Sequence, residues 1–326
     1  MLGNSQLKRV IFDTDIGIDD AMALLFLHYA VDVELLAIVT GFGNADIETT
    51  TRNALYMKQR FGIDAPVFRG AAGPIGASMF EDYPDFVHGN NGLGDIEIPD
   101  MHAQPEAIDG ATAIVDLVKK YPQALSIVAV GRMTNLAKAL ALCPELPELV
   151  HEVIVMGGAF GFNGHRGNVS PVAEANIAGD PTAADLIFTS GLPLTIVGLD
   201  VTEEVIIGDA LFDAMRDNGS DAGRFIYDIS RYYLRFHEQL TGRRQCPMHD
   251  ASAVAFLLRP TIFETKRAVV RVATEGVALG QTIWDEPDTP SVHAAWRDVP
   301  SCNICTRVNS EMLRDLYVET IALAAK

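Results

Sequence analysis

Asp13-Thr14-Asp15-Ile16-Gly17-Ile18-Asp19-Asp20 packs four carboxylates into eight residues. The stretch follows the apolar run Val10-Ile11-Phe12 and opens residues 19–30, where Ala21, Leu24, Leu25 and His28 recur at helical spacing. A strand that turns at once into a helix is the first part of a βαβ unit, and in open parallel sheets ligands bind beyond the carboxyl ends of the strands. Asp13 and Asp15 stand two apart at the strand end, a spacing that points both to one side. Asp19 and Asp20 fall in the first helical turn, where carboxylates cap free N–H groups and complement the macrodipole. Capping accounts for the second pair and not the first, because two more carboxylates at one spot add repulsion. A divalent cation removes that conflict, and all-oxygen ligation favours Ca²⁺ or Mg²⁺ over zinc. The loop is not an EF-hand: Gly17 stands at position five rather than six, and position twelve is Leu24 where Glu is required.

Outward from this segment, short apolar runs alternate with amphipathic ones. Strands are expected at 34–40, 126–130, 152–156 and 194–197, and helices at 46–61, 135–142 and 181–190. This order predicts an α/β fold, an open and mostly parallel Rossmann-like sheet flanked by helices, with the active site at the C-terminal ends of its strands. Residues 210–258 read as mostly helical, 268–273 and 281–284 as strands, and 310–325 as a closing helix. The Gly- and Asp-rich stretch 70–105 lacks periodicity, and one this long is more often a functional loop than a domain joint. With no low-complexity linker and no repeat, one domain over 1–326 is expected.

Hydrophobic residues at 48% and charged ones at 21% describe an ordinary globular chain and exclude disorder, collagen and coiled coil. Lys and Arg number 25 against 43 Asp and Glu, a net charge of −18 that repels phosphate backbones and anionic lipid, so neither nucleic acid nor membrane is an expected partner. Residues 1–9 lack the apolar core and cleavage site of a signal peptide, and no apolar run approaches the ~18 residues that span a bilayer. Of Cys143, Cys246, Cys302 and Cys305 only the last two form a C-x-x-C pair. Zinc usually needs a second pair, so reduced thiols in the cytoplasm are expected.

Further polar residues follow later strands: Gly41-Phe42-Gly43-Asn44, Gly131-Arg132-Met133-Thr134-Asn135, Gly157-Gly158, and Glu174 with Asn176 in an otherwise apolar stretch. Taken singly, Asp250 in His249-Asp250 reads as a helix N-cap and His88 as a surface histidine. Taken jointly and in order, the opening Asp-x-Asp-x-Gly-x-Asp-Asp, Gly43-Asn44, His88-Gly89, Met133-Thr134-Asn135-Leu136, Met156-Gly157-Gly158, Ala173-Glu174-Ala175-Asn176-Ile177 and His249-Asp250 resemble the inosine–uridine-type nucleoside hydrolase family. The resemblance runs from Val10 to the C-terminal helix.

It implies a Ca²⁺ ion held by Asp15, Asp20, Asp250 and the backbone carbonyl of Val130, with Asp13 supporting by hydrogen bonding. It also implies ribose contacts from Asp19, Asn44, Asn168, Glu174 and Asn176, with Met156 on the substrate and His88 orienting the base. Asp15 would be the general base and His249 the general acid in hydrolysis of the N-glycosidic bond, giving ribose and free base. Ile16 and Ala175 depart from the family pattern, Ala175 leaving room where a bulky aromatic is usual, and 160–167 is long and carries His165 and Arg166. Having both His88 and His249 resembles the members acting on pyrimidine or mixed nucleosides, although His237 and Thr241 do not match a strictly pyrimidine-specific set. Homodimers or homotetramers are implied as well.

Two rivals exist. In a haloacid-dehalogenase-like phosphohydrolase Asp13 would be a nucleophile, Asp15 an acid and Mg²⁺ the metal, but Gly17 stands where that family prefers Thr or Val. A non-catalytic Ca²⁺-dependent nucleoside or sugar sensor would have no use for a leaving-group acid such as His249.

Overall fold

Val10 and Phe12 face one apolar layer and Ile11, between them, faces another. Val128 and Ile127 divide in the same way, as do Ile154 and Val153. This is the alternation of strands buried on both sides. The computed structural model describes residues 7–80, 82–100, 103–287, 289 and 293–325. The absence of a leader, expected from residues 1–9, falls mostly on residues outside this set, as do small parts of the 70–105 stretch and of the one-domain span.

The strands are β1 (Lys8–Thr14), β2 (Val33–Thr40), β3 (Val67–Arg69), β4 (Leu125–Ala129), β5 (Glu152–Met156), β6 (Leu194–Val197), β7 (Ile206–Gly208), β8 (Gln245–Pro247), β9 (Phe263–Val272), β10 (Thr282–Asp285) and β11 (Ser301–Val308). Nine of them form one open sheet in the order β10-β9-β11-β6-β5-β4-β1-β2-β3, while β7 and β8 pair separately. From β3 to β11 neighbours are parallel; β9 runs antiparallel to both β11 and β10. The α/β fold with an open, mostly parallel sheet is therefore present, extended at one edge by antiparallel strands.

β3, β11 and the helix Gly110–Lys120, capped by Asp109 through Ala111 N–H and Thr112 N–H, lie outside the elements expected from the sequence. β11 also settles the C-x-x-C pair. Residues three apart on a strand face opposite ways, and Cys302 and Cys305 pack into different apolar layers. All four cysteines are buried and free. Among the described residues no helix is long and apolar enough to cross a membrane.

The strand order locates the site. β1 leads to β2 on one side, and the chain later returns to β4 on the other. The crevice between the carboxyl ends of β1 and β4 is thus a topological switch point, the place where such sheets take ligands.

Candidate active site

Asp15 leaves the end of β1 between two glycines. A Cβ on Gly43 would lie 1.7 Å from its Oδ2, and one on Gly131 would lie 2.8 Å from its Oδ1. Asn44 N–H donates to Asp15 Oδ2 at 2.8 Å. The helix Ile18–Tyr29 follows, and Asp20 in its first turn serves as the far half of a capping box. Asp20 Oδ1 accepts from Thr14 Oγ1 at 2.5 Å and Asp15 N at 3.1 Å; its Oδ2 accepts from Gly17 N at 2.9 Å and Asn44 Nδ2 at 2.7 Å. Asp13 lies deeper, its Oδ1 accepting from Asn135 Nδ2 at 2.8 Å.

Asp250 is not an N-cap. Met248 holds that position for the helix His249–Leu258, and Asp250 sits in the first turn. Ligand atoms of Asp19, Asp20 and Asp250 all lie within 4.8 Å of one another. This triad, found among the described residues, contains Asp19, whereas the expected set of ligands contained Asp15.

Burial pushes the Asp19 carboxyl up to about 8 and Asp13 to about 7, Asp20 adding its repulsion at Asp19. Asp15 and Asp250 are also raised well above the carboxylate range, by burial first and by neighbouring carboxylates second. The Arg132 guanidinium opposes this at Asp15; it stacks on Phe42 and Phe80 at 4.6 and 5.2 Å and reaches Gly43 O at 3.4 Å. Asp13 Oδ2, Asp15 Oδ1 and Asp19 Oδ1 are buried without hydrogen-bond partners. Converging, partly orphaned, buried carboxylate oxygens are costly by themselves, and a hard divalent cation satisfies them. The donor set, oxygen throughout, fits such an ion.

A cavity of about 800 Å³ opens above this cluster. Asp15, Asp19, Asn44, His88, Val130, Met156, Asn168, Glu174, Asn176, His249 and Asp250 all border it, and Asp20 lies behind them, fully buried. Glu174 caps the short helix Ala175–Gly179, its Oε1 accepting from Asn176 N at 2.9 Å and its Oε2 from Gly158 N at 2.9 Å and Ile177 N at 3.2 Å. Asn176 Nδ2 donates to the Val130 carbonyl at 2.6 Å, and Asn168 Oδ1 accepts from Ala175 N at 3.0 Å.

His88 is buried rather than superficial. Its Nδ1 accepts from Ile18 N–H at 3.2 Å, which places the ring hydrogen on Nε2. His249 Nδ1 lies 2.8 Å from Thr202 Oγ1. Burial lowers both imidazoles to about 3, assisted at each by the neighbouring His237. The 160–167 stretch is pinned to the segment after β6: Asp200 accepts from Phe160 N and Phe162 N at 2.8 and 2.6 Å, and His165 bridges Glu203 and Glu204 at 2.6 and 2.5 Å.

Arg132, Thr202, Tyr233 and Phe236 belong to this site and were not singled out from sequence. Arg132 stood within a noted motif; the aromatic pair had only its place on a long helix as a signal.

The model of the inosine-uridine preferring nucleoside hydrolase family matches residues 10–315. Uridine nucleosidase 1 of Arabidopsis thaliana is 37% identical over 283 residues, covering 86% of this chain and 82% of its own length. The non-specific ribonucleoside hydrolase RihC of Escherichia coli is 35% identical over 277 residues, 85% of this chain and 88% of its own. Among solved structures, a plant nucleoside hydrolase superposes with a TM-score of 0.93 at 31% identity, covering 97% of this chain and 99% of that one.

Proposed function

The chain belongs to the inosine-uridine preferring nucleoside hydrolase family, and from that premise we propose that it is a Ca²⁺-dependent ribonucleoside hydrolase that favours pyrimidine nucleosides. The observation that carries this is the coincidence of the Asp19, Asp20 and Asp250 triad with the orphaned Asp15 Oδ1 under a cavity bordered by His88 and His249. Asp15, Asp20, Asp250 and the Val130 carbonyl would hold the ion, with Asp19 beside them. When bound there, Ca²⁺ supplies the charge that polarises a water and fixes the sugar's 2′- and 3′-hydroxyls.

The chain's own groups do the rest. Asp19, Asn44, Asn168, Glu174 and Asn176 grip the ribose, and Met156 packs on it. Their carboxylates stabilise positive charge as the ring takes on oxocarbenium character. Asp15 accepts the proton of the attacking water at Oδ1, the oxygen that no neighbour occupies. Held at Nδ1 by the Thr202 hydroxyl, His249 directs Nε2 at the departing base and serves as its general acid. His88, fixed as the Nε2–H tautomer, orients the base with a second donor. The presence of both histidines supports the pyrimidine preference. Residues 1–326 would act as one nucleoside-hydrolase domain, assembled as a homodimer or homotetramer in the cytoplasm.

Base release from uridine, cytidine, inosine, adenosine and guanosine, each alongside its 5′-monophosphate, tests the proposal. Release from free nucleosides only is expected. Phosphate release from the monophosphates would favour the phosphohydrolase instead, and silence with Ca²⁺ bound would favour the sensor.

A further inference from the structure

The segment 160–168, which runs from β5 to the sugar side of the cavity, is tied down at both ends. At its start Asp200 accepts from Phe160 N and Phe162 N, and Asn163 Nδ2 donates to Asp200 O at 2.8 Å and to Thr306 O, on β11, at 3.0 Å. Near its end His165, at the cavity wall, meets two carboxylates at once. Nδ1 lies 2.6 Å from Glu203 Oε2, and Nε2 lies 2.5 Å from Glu204 Oε1. Both glutamates stand just past the short helix Leu199–Thr202, where Ser310 Oγ donates to Glu204 O at 2.8 Å. Only an imidazolium donates from both nitrogens; a neutral ring must turn a lone pair toward one of the carboxylates.

What this clamp holds is Asn168. Gly167 leaves no slack between the two, because a Cβ there would lie 2.3 Å from Ala173 N and 2.4 Å from both Ala173 O and Ser170 O. Asn168 Oδ1 is taken by Ala175 N, so its amide nitrogen is the group left for a ligand in the cavity. Asn44 and Asn176, by contrast, are bonded to Asp15, Asp20 and the Val130 carbonyl, on the metal side where the 2′- and 3′-hydroxyls go. With those two hydroxyls at the metal and the base at His249, the hydroxyl that remains for Asn168 is the 5′. We propose that His165 is a positioning residue: as an imidazolium bridging Glu203 and Glu204 it holds Asn168 against the ribose 5′-hydroxyl, and loss of its proton loosens that grip. This role presupposes the ribonucleoside hydrolase reading given above and adds to it a pH sensitivity of the sugar subsite.

The charges around the ring favour the cation. Burial works against the His165 proton, but the hydrogen bonds and charges of Glu204 and Glu203 outweigh it and raise its value above the usual 6.5. Asp200 is a third carboxylate that His165 offsets, while Arg166 follows it in the chain and Arg243 borders the same cavity. β11 and the closing helix Ser310–Ala322 reach the clamp through uncharged groups, Thr306 O and Ser310 Oγ. The clamp is therefore complete below 6.5 and is lost as pH rises through the raised value.

The test takes the best nucleoside of the panel above, uridine by expectation, and measures its KM and kcat, with Ki for its 5′-deoxy counterpart as a competitor. These are read from about pH 6 to about pH 9 in wild type, His165→Arg and His165→Leu, with Ca²⁺ affinity by calorimetry. Arg keeps its charge over this range and a fork that reaches two carboxylates; Leu keeps neither. At about pH 6 the Leu variant should raise KM about three- to tenfold, the worth of one hydrogen bond, with kcat and Ca²⁺ affinity as in wild type. As pH rises wild type should lose this advantage over the Leu variant, and the Arg variant should keep it. Ki for the 5′-deoxynucleoside, which has no hydroxyl for Asn168 to hold, should match across the three proteins at each pH. A Leu variant weakened equally toward both ligands, or toward neither, overturns the assignment, as does a wild-type advantage that does not change with pH. Failure of wild type to release base from any nucleoside of the panel instead overturns the hydrolase reading.

Discussion

Asp15 has a glycine on each side, and the geometry leaves no room for a methyl on Gly43, whose Cβ would sit 1.7 Å from the carboxylate oxygen. Gly43→Ala must therefore swing Asp15 away from its position, and a shift of about 1 Å at a reacting group costs on the order of 10²-fold in rate. We expect that loss in kcat together with weaker Ca²⁺ binding; an alanine variant with wild-type turnover would show that Asp15 need not stay where it is. His249 makes a different case, because its Nδ1 meets Thr202 and not the carboxylates. His249→Ala should lower turnover by about 10²–10⁴ while Ca²⁺ binds as before. Unchanged turnover with every natural nucleoside would remove His249 from the mechanism.

Single elements bring these residues together through their ends. Asn135 ties three of those ends: its Nδ2 donates to Asp13 Oδ1 at 2.8 Å and Thr40 O at 3.1 Å, and its Oδ1 accepts from Ala71 N at 2.8 Å. Asn135→Ala strands a buried carboxylate oxygen and a buried N–H, which should destabilise the fold by about 1–3 kcal/mol. Denaturant unfolding would read this as a lower midpoint, and an unchanged midpoint would mean the loops hold without it. Strands such as β1, β2 and β5 were legible because burial on both faces demands continuous apolar runs. β11 was not, since Asn303, Thr306 and Arg307 break its run even though Ile304 pairs with Ile196 in the heart of the sheet. β3, with three residues, is too short for any periodicity. The carboxylates at the end of β1 could be read because they cluster in sequence. Thr202 beneath His249 and the Tyr233–His237 aromatic pairing could not, because tertiary packing alone creates those contacts.

At the scale of the whole molecule, the buried carboxylates couple stability to pH and to the metal. Asp13 and Asp19 have folded-state values raised to about 7 and 8 from a usual 3.8, and Asp15 and Asp250 are raised too. In the metal-free fold these groups hold protons that the unfolded chain has released, so their contribution is complete below the usual value and is lost as pH rises through the raised one. His88, His237 and His249 act oppositely: their values fall to about 3, 4 and 3 from a usual 6.5, so they favour the fold above 6.5 and weaken it as pH drops below. The two groups compete below pH 6.5. Above it the contribution of these three histidines to the pH dependence fades while the carboxylates, and His165 with its raised value, go on losing protons, so metal-free stability should fall between pH 6.5 and 8. Ca²⁺ needs the ionised carboxylates, so its binding releases protons and strengthens over the same interval, and its stabilisation of the fold grows with it. Melting temperatures at pH 6.5, 7.25 and 8, with chelator and with excess CaCl₂, should therefore diverge as pH rises, the chelated protein falling while the loaded one holds. Parallel curves would mean that the carboxylates beneath the cavity are not the groups that take the ion.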